Sequence, residues 1–485
     1  MQHETRPTRD SVFAILNEPV DVERRMKVII VGSGFAGLAA AYRVTKDVEN
    51  MDLVVYEKNS DVGGVWYQNR YPGITCDVPS HGYQFSYAEN TQWSKFYAPG
   101  SEIFQYLRDY VVICATGGLD QIRMPDIAGL GSFKGKIVHT ASWDMDPAGS
   151  AWVNRRVAVI GYGASATQVV PALQPHVAHM DNYVRGRTWI FQPFVTLEKY
   201  DDGATGNHVF TEDEKRSFKE SPEQYKKLRL EIEDSLNPAY PLTQDGNDGQ
   251  AMIRPIFESI MKRDQLFIVA FDAIPSSYDS PSQLSTVNTW PRLPGSSGTS
   301  MDRLISGKEL THNAPKLADN VHFVNTKIHR VTEDGIETVA NVDSTTFQVG
   351  GPNSGISVGS LIPMLEKQAE YITTCILKMQ RQRIKVMTVQ KRAVDEFQAY
   401  IEAYFPRTVF SKNCSSWYKD GKIDGRVIGL WPGSTLHHLR VLEQPRFEDY
   451  EYTYLEDSAS YLRWLGNGLT VAEVEGKPGT RAWYV

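Results

Sequence analysis

The stretch Lys27–Glu57, KVIIVGSGFAGLAAAYRVTKDVENMDLVVYE, constrains the fold more than any other part of the chain. It reads as strand, glycine turn, helix, strand. Lys27–Val31 is an apolar run rich in β-branched residues, and Gly32, Gly34 and Gly37 then fill the three positions of G-x-G-x-x-G, with Phe35 and Ala36 between them. Gly32 suits the tight turn, Gly34 lets backbone approach a pyrophosphate, and Gly37 permits close helix–strand packing. The helix that starts here offers unpaired N–H groups and a positive dipole end to phosphates. Glu57 closes the second strand, where a carboxylate can accept hydrogen bonds from ribose hydroxyls. Glycines alone could mark a turn that merely links buried elements; strand, helix and acid in register predict a bound dinucleotide.

The same pattern returns at Arg156–Leu173, RVAVIGYGASATQVVPAL. A β-rich run meets Gly161, Tyr162 and Gly163, and a helix follows through Ala164, Ser165, Ala166, Thr167 and Gln168, with Ala166 in the place of the third glycine. The next strand, His179–Val184, ends at Arg185, with Arg187 close behind. A guanidinium where the first unit has an acid favours a ribose phosphate, so NADPH is expected rather than NADH. Two nucleotide units imply electrons passing between two cofactors, and the natural pair is FAD on the first unit and NADPH on the second. The expected fold class is α/β, with two Rossmann-like dinucleotide-binding domains and a helical substrate lobe inserted.

Composition narrows the remaining choices. At 485 residues, 41% hydrophobic and 22% charged, the chain has room for about three lobes. Its net charge of −7 gives no reason to expect a polyanionic partner. The start, MQHETRPTRDSVFAILNEPVDVERR, lacks the apolar core of a signal peptide, and no run approaches the ~18 apolar residues of a membrane span. Cys76, Cys114, Cys375 and Cys414 are scattered, with no C-x-x-C and no metal-ligand spacing. A reduced, cytoplasmic setting is expected, with no metal, and a disulfide reductase is disfavoured.

Between the two units lies Asp61–Tyr87, DVGGVWYQNRYPGITCDVPSHGYQFSY, too rich in glycine, proline and aromatics for a regular helix. Long loops inside domains are usually functional. Gly63 and Gly64 allow close approach to a flat ligand, Trp66 and Tyr83 can pack on one, and Asp77 brings charge; the alternative is an aromatic mini-core. A short helix over Ser101–Asp109 leads into a buried strand, Val111–Gly118. Thr211–Leu236 is highly charged, with Phe218, Tyr225, Leu228 and Ile232 at helical spacing, and its charge reads as a solvated face. Leu361–Met379 and Lys391–Phe405 read as amphipathic helices whose stripes pack against the sheet, and Thr326–Val342 as a hairpin.

GSGFAG, the Gly63–Tyr87 segment, ATGG and above all FKGKIVHTASWD (Phe133–Asp144) resemble class B flavoprotein monooxygenases of the Baeyer–Villiger type. Phe133, Gly135, His139, Trp143 and Asp144 match the family fingerprint F-x-G-x-x-x-H-x-x-x-W-P/D. GPNSGISVGSLIPMLE (Gly351–Glu366), SSWYKDGKIDGRVIGLWPGS (Ser415–Ser434) and LGNGLT (Leu465–Thr470) resemble the family's returning FAD segments, and the likeness is strongest to fungal enzymes of aromatic polyketide pathways. The resemblance implies that NADPH reduces FAD and that one oxygen of O2 is inserted beside a ketone carbonyl. It also implies that Gly32, Gly34, Phe35, Ala36, Gly37, Glu57, Gly64, Val65, Trp66, Asp77 and Tyr83 line FAD, that Thr75, Cys76 and Asp77 lie between the cofactors, and that Gly161–Gln168 and Arg185 hold NADPH. Asp77, His139 and an arginine form the expected catalytic set, with His139 acting in a hinge.

Three departures from the family stand out. Its β-structure between Asp109 and the A-T-G strand is absent, and so is a second A-T-G strand between Asp343 and the GPNS segment. The family's G-C-R/K-R-x-T-P-G-like segment is represented only by TWPRLPGSS, Thr289–Ser297, which makes Arg292 the candidate arginine. The expected division is 1–138 with 343–485 for FAD, 139–200 with 300–342 for NADPH, and 201–299 for the substrate lobe. The rival expectations are a flavin enzyme that oxygenates nitrogen or sulfur, and a non-catalytic or misspliced remnant that binds nucleotide weakly.

Overall fold

The computed structural model describes residues 15–110 except 58, then 124, 127, 129–145, 151–183 except 162, 195, 197–200, 207–245, 321–341 except 325–326 and 333–334, 345, 347–455 except 414–415, and 462–476. The expected strand Val111–Gly118, the segment Thr289–Ser297, and Tyr162, Arg185 and Arg292 lie outside these residues.

The first unit follows the pattern of the sequence. β1 (Met26–Val31) and β2 (Met51–Tyr56) pair in parallel, Met26 opposite Met51 and Val31 opposite Tyr56. A parallel pair needs a crossover, which α1 (Phe35–Asp47) supplies. α1 buries Leu38, Ala39, Ala40, Ala41 and Val44, and its small residues let a second long helix lie against it. After the one-turn α2 (Val65–Gln68) and α3 (Gly100–Tyr110), the second unit repeats the plan. β3 (Arg156–Ile160), α4 (Ala164–Leu173) and β4 (His179–Tyr183) form a parallel pair with its crossover, Arg156 opposite His179.

The lobe departs from expectation in one way. Its helical stretch breaks into α5 (Glu212–Glu220) and α6 (Pro222–Leu236), because Pro222 forces Ser221 out of helical geometry, to φ −126° and ψ 78°. The charged side chains of this stretch are mostly exposed, while Tyr225, Leu228 and Ile232 of α6 are buried in one aromatic cluster with Phe96, Tyr97 and Phe210.

The hairpin gains a third strand. β5 (Val321–Val324), β6 (Lys327–Thr332) and β7 (Gly335–Asn341) form an antiparallel sheet. The returning segments give α7 (Leu361–Arg381), β8 (Ile384–Val389), α8 (Lys391–Tyr404), α9 (Thr435–Val441), β9 (Tyr450–Tyr454) and α10 (Val471–Val474). α7 packs on α1 and on β8, which pairs antiparallel with β9. The stripe of α8 is mostly not core. Ile401 is its buried residue, while Phe397 and Tyr400 remain 39% and 46% exposed, the first leaning on Trp431. Among the described residues no helix is long and apolar enough to cross a membrane.

Candidate active site: two glycine turns and the loop between them

Gly32 stands at φ 101°, a conformation that costs a residue with a Cβ, and its N–H donates to the Tyr56 carbonyl (2.7 Å), closing the first turn onto the end of β2. α1 begins at Gly34 with no side-chain cap and no acidic residue in its first turn, so its leading N–H groups stay available to an anion. The lobe helix α5, by contrast, is closed by a capping box between Thr211 and Glu214. Within the turn Ser33 is fully buried, and its hydroxyl has no partner. A buried orphan of this kind costs roughly 1–3 kcal/mol unless a group from outside satisfies it. Glu57 follows β2, with Oε1 accepting from the Asn59 backbone (2.9 Å) and side-chain (2.8 Å) nitrogens, which fixes the carboxylate at the strand tip. These features fit the ribose and pyrophosphate of a dinucleotide.

The Asp61–Tyr87 loop then folds over this turn. The Gly63 N–H donates to the Ser33 carbonyl (2.7 Å). Trp66 meets Tyr83 edge-on, its indole N–H donating to the phenol (3.3 Å), and Tyr83 in turn packs on Phe35. The mini-core reading is therefore also realised: Phe35, Cys76, Phe85, Trp93 and Tyr106 belong to the buried cluster beneath the loop, with Trp66 and Tyr83 at its edge. Burial pushes the Cys76 thiol far above its ordinary range, so Cys76 contributes backbone and packing rather than nucleophilicity. Asp77 is exposed, and its charge adds to the burial that raises Tyr71, Tyr83 and Tyr97.

The second turn mirrors the first. Gly161, at φ 108°, donates its N–H to the Tyr183 carbonyl (2.9 Å), and α4 starts at Gly163 with no side-chain cap and no acid in its first turn. A Cβ on Gly163 would meet nothing within 4 Å, so protein packing does not explain the missing side chain there, whereas close approach of a ligand does. Ala164 and Thr167 are exposed at this end of α4, Ser165 is half-buried and Ala166 packs inward. Gln168 faces elsewhere: its amide leaves its own unit and bonds the Tyr71–Thr75 loop of the first.

The fingerprint residues separate by role. Trp143 joins the core of the second unit, 5.8 Å from Trp152, and packs in the same cluster as Tyr71 and Ile74 of the first unit's loop. His139 is half-buried in a tight turn, its Nδ1 accepting from the Ala141 N–H (3.1 Å) and its carbonyl from the Ser142 N–H (2.9 Å). Phe133 is 61% exposed, and Asp144 pairs with Lys136. Asp77 lies near Tyr71, Tyr83 and Tyr97, while the hydrogen bonds of His139 stay within its own turn.

Among the buried polar groups that the sequence does not announce are His81 and Lys419. His81 is fully buried against the Tyr225 hydroxyl (2.8 Å), tying the loop to the lobe, and burial together with the Arg229 charge pushes its pKa down to about 3. Lys419 is 1% exposed, its Nζ donating to the carbonyls of Lys412 (2.7 Å) and Ile423 (2.5 Å). Nothing in the spacing of a lone histidine or lysine announces such a partner.

Two uncapped glycine-turn helices that share one loop define an α/β protein with a pair of dinucleotide-binding units. Residues 30–99 match the NAD(P)-binding Rossmann-like domain. Cyclohexanone monooxygenase from Rhodococcus sp. Phi1, solved with NADP+, shares the fold at a TM-score of 0.57 and 18% identity, over 90% of this chain and 100% of its own. A steroid monooxygenase solved with NADP gives 0.57 at 17% identity, over 89% and 100%. The FAD-binding monooxygenase tazF of Aspergillus terreus is 30% identical over 95% of each chain. A Baeyer–Villiger monooxygenase of Pseudomonas aeruginosa is 28% identical over 89% of this chain and 92% of its own. The chain belongs to the class B flavin-dependent monooxygenases, enzymes that use FAD and NADPH. Its alignment with tazF runs over 546 positions, more than the 485 residues present here, so tazF carries residues with no counterpart in this chain.

Proposed function

We propose that this enzyme carries out Baeyer–Villiger oxidation of a ketone: ketone, O2, NADPH and a proton give ester or lactone, water and NADP+. The observation that carries the reading is the Thr75–Asp77 loop, which belongs to the first unit yet is hydrogen-bonded to the helix that opens the second. A loop shared in this way lies where the two cofactors meet. Bound together, FAD and NADPH supply the electrons that activate O2.

In this reading Gly32, Gly34, Phe35, Ala36, Gly37 and Glu57 hold the nucleotide part of FAD, and Gly64, Val65, Trp66, Thr75, Cys76, Asp77 and Tyr83 surround its ring. Gly161–Thr167 and Arg185 hold NADPH. Arg292 supplies the fixed cation that a developing oxyanion needs in a water-excluded pocket. His139 works through the turn that precedes Trp143 and the second unit. The domain division 1–138 with 343–485, 139–200 with 300–342, and 201–299 belongs to the same proposal. The resemblance to fungal enzymes of aromatic polyketide pathways favours an aromatic ketone as substrate.

The test is incubation of the purified protein with FAD, NADPH and isotopically labelled O2 across a panel of aromatic and alicyclic ketones, amines and thioethers. One labelled oxygen inserted beside a carbonyl supports the proposal. Label found on nitrogen or sulfur alone replaces it with heteroatom oxygenation, and protein that FAD cannot colour replaces it with a weakly binding remnant.

A further inference from the structure

Gln168 sits in α4, and its side-chain amide is spent entirely on the other unit. Oε1 accepts from the Tyr71 hydroxyl (2.8 Å) and, at 3.5 Å, from the Thr75 N–H. Nε2 donates to the Thr75 carbonyl (3.0 Å) and the Thr75 hydroxyl (3.3 Å). A primary amide offers two donors beside one double acceptor, and all of that capacity is used here. A carboxylate would lose both donors and face the Thr75 carbonyl with like charge. An apolar chain would take away the acceptor of the Tyr71 hydroxyl, a residue only 6% exposed, and leave it Ser165 as its remaining side-chain partner on α4.

The contact is reinforced beside it. Gly73, at φ +82°, lies so close to α4 that a Cβ would come within 2.6 Å of the Gln168 carbonyl and 2.8 Å of the Ala172 Cβ. On its other side the loop is pinned to the start of α3. The Cys76 N–H donates to the Ala98 carbonyl (2.9 Å), and the Gly100 N–H to the Ile74 carbonyl (3.0 Å). The Tyr71–Asp77 loop is thus held between two helices, and α4 begins at the second glycine turn. A shift of α4 as phosphate settles at Gly163 reaches Thr75 most directly through the Gln168 amide, beside the Gly73 and Tyr71 contacts, and Asp77 is two residues further on.

We propose that Gln168 is a positioning residue that transmits occupancy of the second nucleotide site to the Thr75–Asp77 loop, and does not itself bind NADPH. This rests on the two-cofactor reading above and deepens it. The Tyr71 hydroxyl serves the same link as a secondary contact.

The first experiment needs no turnover. Amide hydrogen exchange is followed in the flavin-loaded protein with and without NADP+, for wild type, Gln168→Met and Tyr71→Phe. In wild type, NADP+ slows exchange both at Gly163–Thr167 and at Thr75–Asp77. In Gln168→Met the first protection persists and the second is lost; in Tyr71→Phe, which removes one hydroxyl and keeps the ring, the second is weakened. The second experiment is anaerobic flavin reduction. Gln168→Met lowers the limiting rate constant about tenfold, the scale of one lost positioning contact, with the apparent NADPH affinity changed less than about threefold. Protection at Thr75–Asp77 that survives in both variants overturns the proposal, as does an affinity loss equal to the rate loss. Failure of NADP+ to protect Gly163–Thr167 in wild type overturns the two-cofactor reading instead.

Discussion

The backbone of Gly64 lies directly against that of Gly34: a Cβ on Gly64 would come within 2.9 Å of the Gly34 Cα. The Asp61–Tyr87 loop and the first glycine turn are therefore in contact at a place where neither carries a side chain. Gly64 also holds φ 55° with ψ −122°, which an L-residue adopts only with strain of about 1–3 kcal/mol. Gly64→Ala combines strain and clash, and both are relieved by lifting the loop. The expected outcome is FAD affinity at least about tenfold weaker, measured by flavin absorbance titration, on a protein that keeps its secondary structure. Unchanged affinity would mean that the loop does not cover the nucleotide.

The Tyr225 hydroxyl is the hub that fastens α6 to the loop. It donates to the Asn90 carbonyl (2.8 Å), accepts from Gln84 Nε2 (2.7 Å) and meets His81 Nδ1 (2.8 Å). Phenylalanine fills the same space and removes only these bonds, leaving buried donors unpaired. Tyr225→Phe is expected to cost about 2–3 kcal/mol in urea unfolding, against a loss below about 1 kcal/mol for Tyr400→Phe on the exposed side of α8. Equal losses would show that the hub bonds add nothing.

His81 makes the same junction sensitive to acid. With the single Tyr225 proton directed at Asn90, His81 presents Nδ1–H to the hydroxyl, and its Nε2 is a buried acceptor without a partner. A neutral ring is required there, and burial with the Arg229 charge holds the pKa at about 3 instead of 6.5. Below pH 6.5 the unfolded chain takes up a proton that the folded chain refuses. Stability is therefore complete above that pH and falls as pH drops toward 3, by about 2 kcal/mol at pH 5. His438, fully buried and lowered to about 4, chiefly by burial, acts in the same direction. Unfolding free energies measured between pH 7 and 5 should show this decline, and His81→Gln should remove about half of the part due to the two histidines.

The parts of the fold that sequence reveals are those set by local periodicity. β1, α1 and β2 follow from alternation and three glycines, and α7 from a stripe repeated over six turns, because each pattern is completed within its own segment. The break at Pro222 was readable in principle, since proline dictates the geometry of the residue before it. What stayed hidden depends on partners distant in the chain. Gln168 looks like one more residue of a nucleotide helix until Thr75 is beside it, and the burial of α6 becomes visible only when Phe96 and Phe210 close over it. The stripe of α8 misled for the converse reason: amphipathic spacing says that a face can be buried, not that another element is there to bury it.

The last prediction comes from comparing the two turns. At the first, Gly32 N–H bonds the Tyr56 carbonyl, and the acid Glu57 follows at once; at the second, Gly161 N–H bonds the Tyr183 carbonyl, and the chain beyond runs through Val184 to Arg185. Tyr56 and Tyr183 thus occupy equivalent places, each the last residue of its strand and opposite the last residue of its partner. In the proposed arrangement the residues that follow these tyrosines would meet the ribose of each cofactor, and the change from the carboxylate of Glu57 to the guanidinium of Arg185 would reverse the charge offered to its 2′ position. A hydrogen bond to a charged group is worth about 1.5–3 kcal/mol, so Arg185→Ala should lower kcat/KM for NADPH roughly ten- to a hundredfold while leaving NADH little changed. Arg185→Glu should go further and favour NADH, because a carboxylate repels the phosphate and accepts from a ribose hydroxyl. Steady-state kinetics with both reductants decides it: equal losses for the two would assign Arg185 to the framework of the second unit rather than to the choice of cofactor.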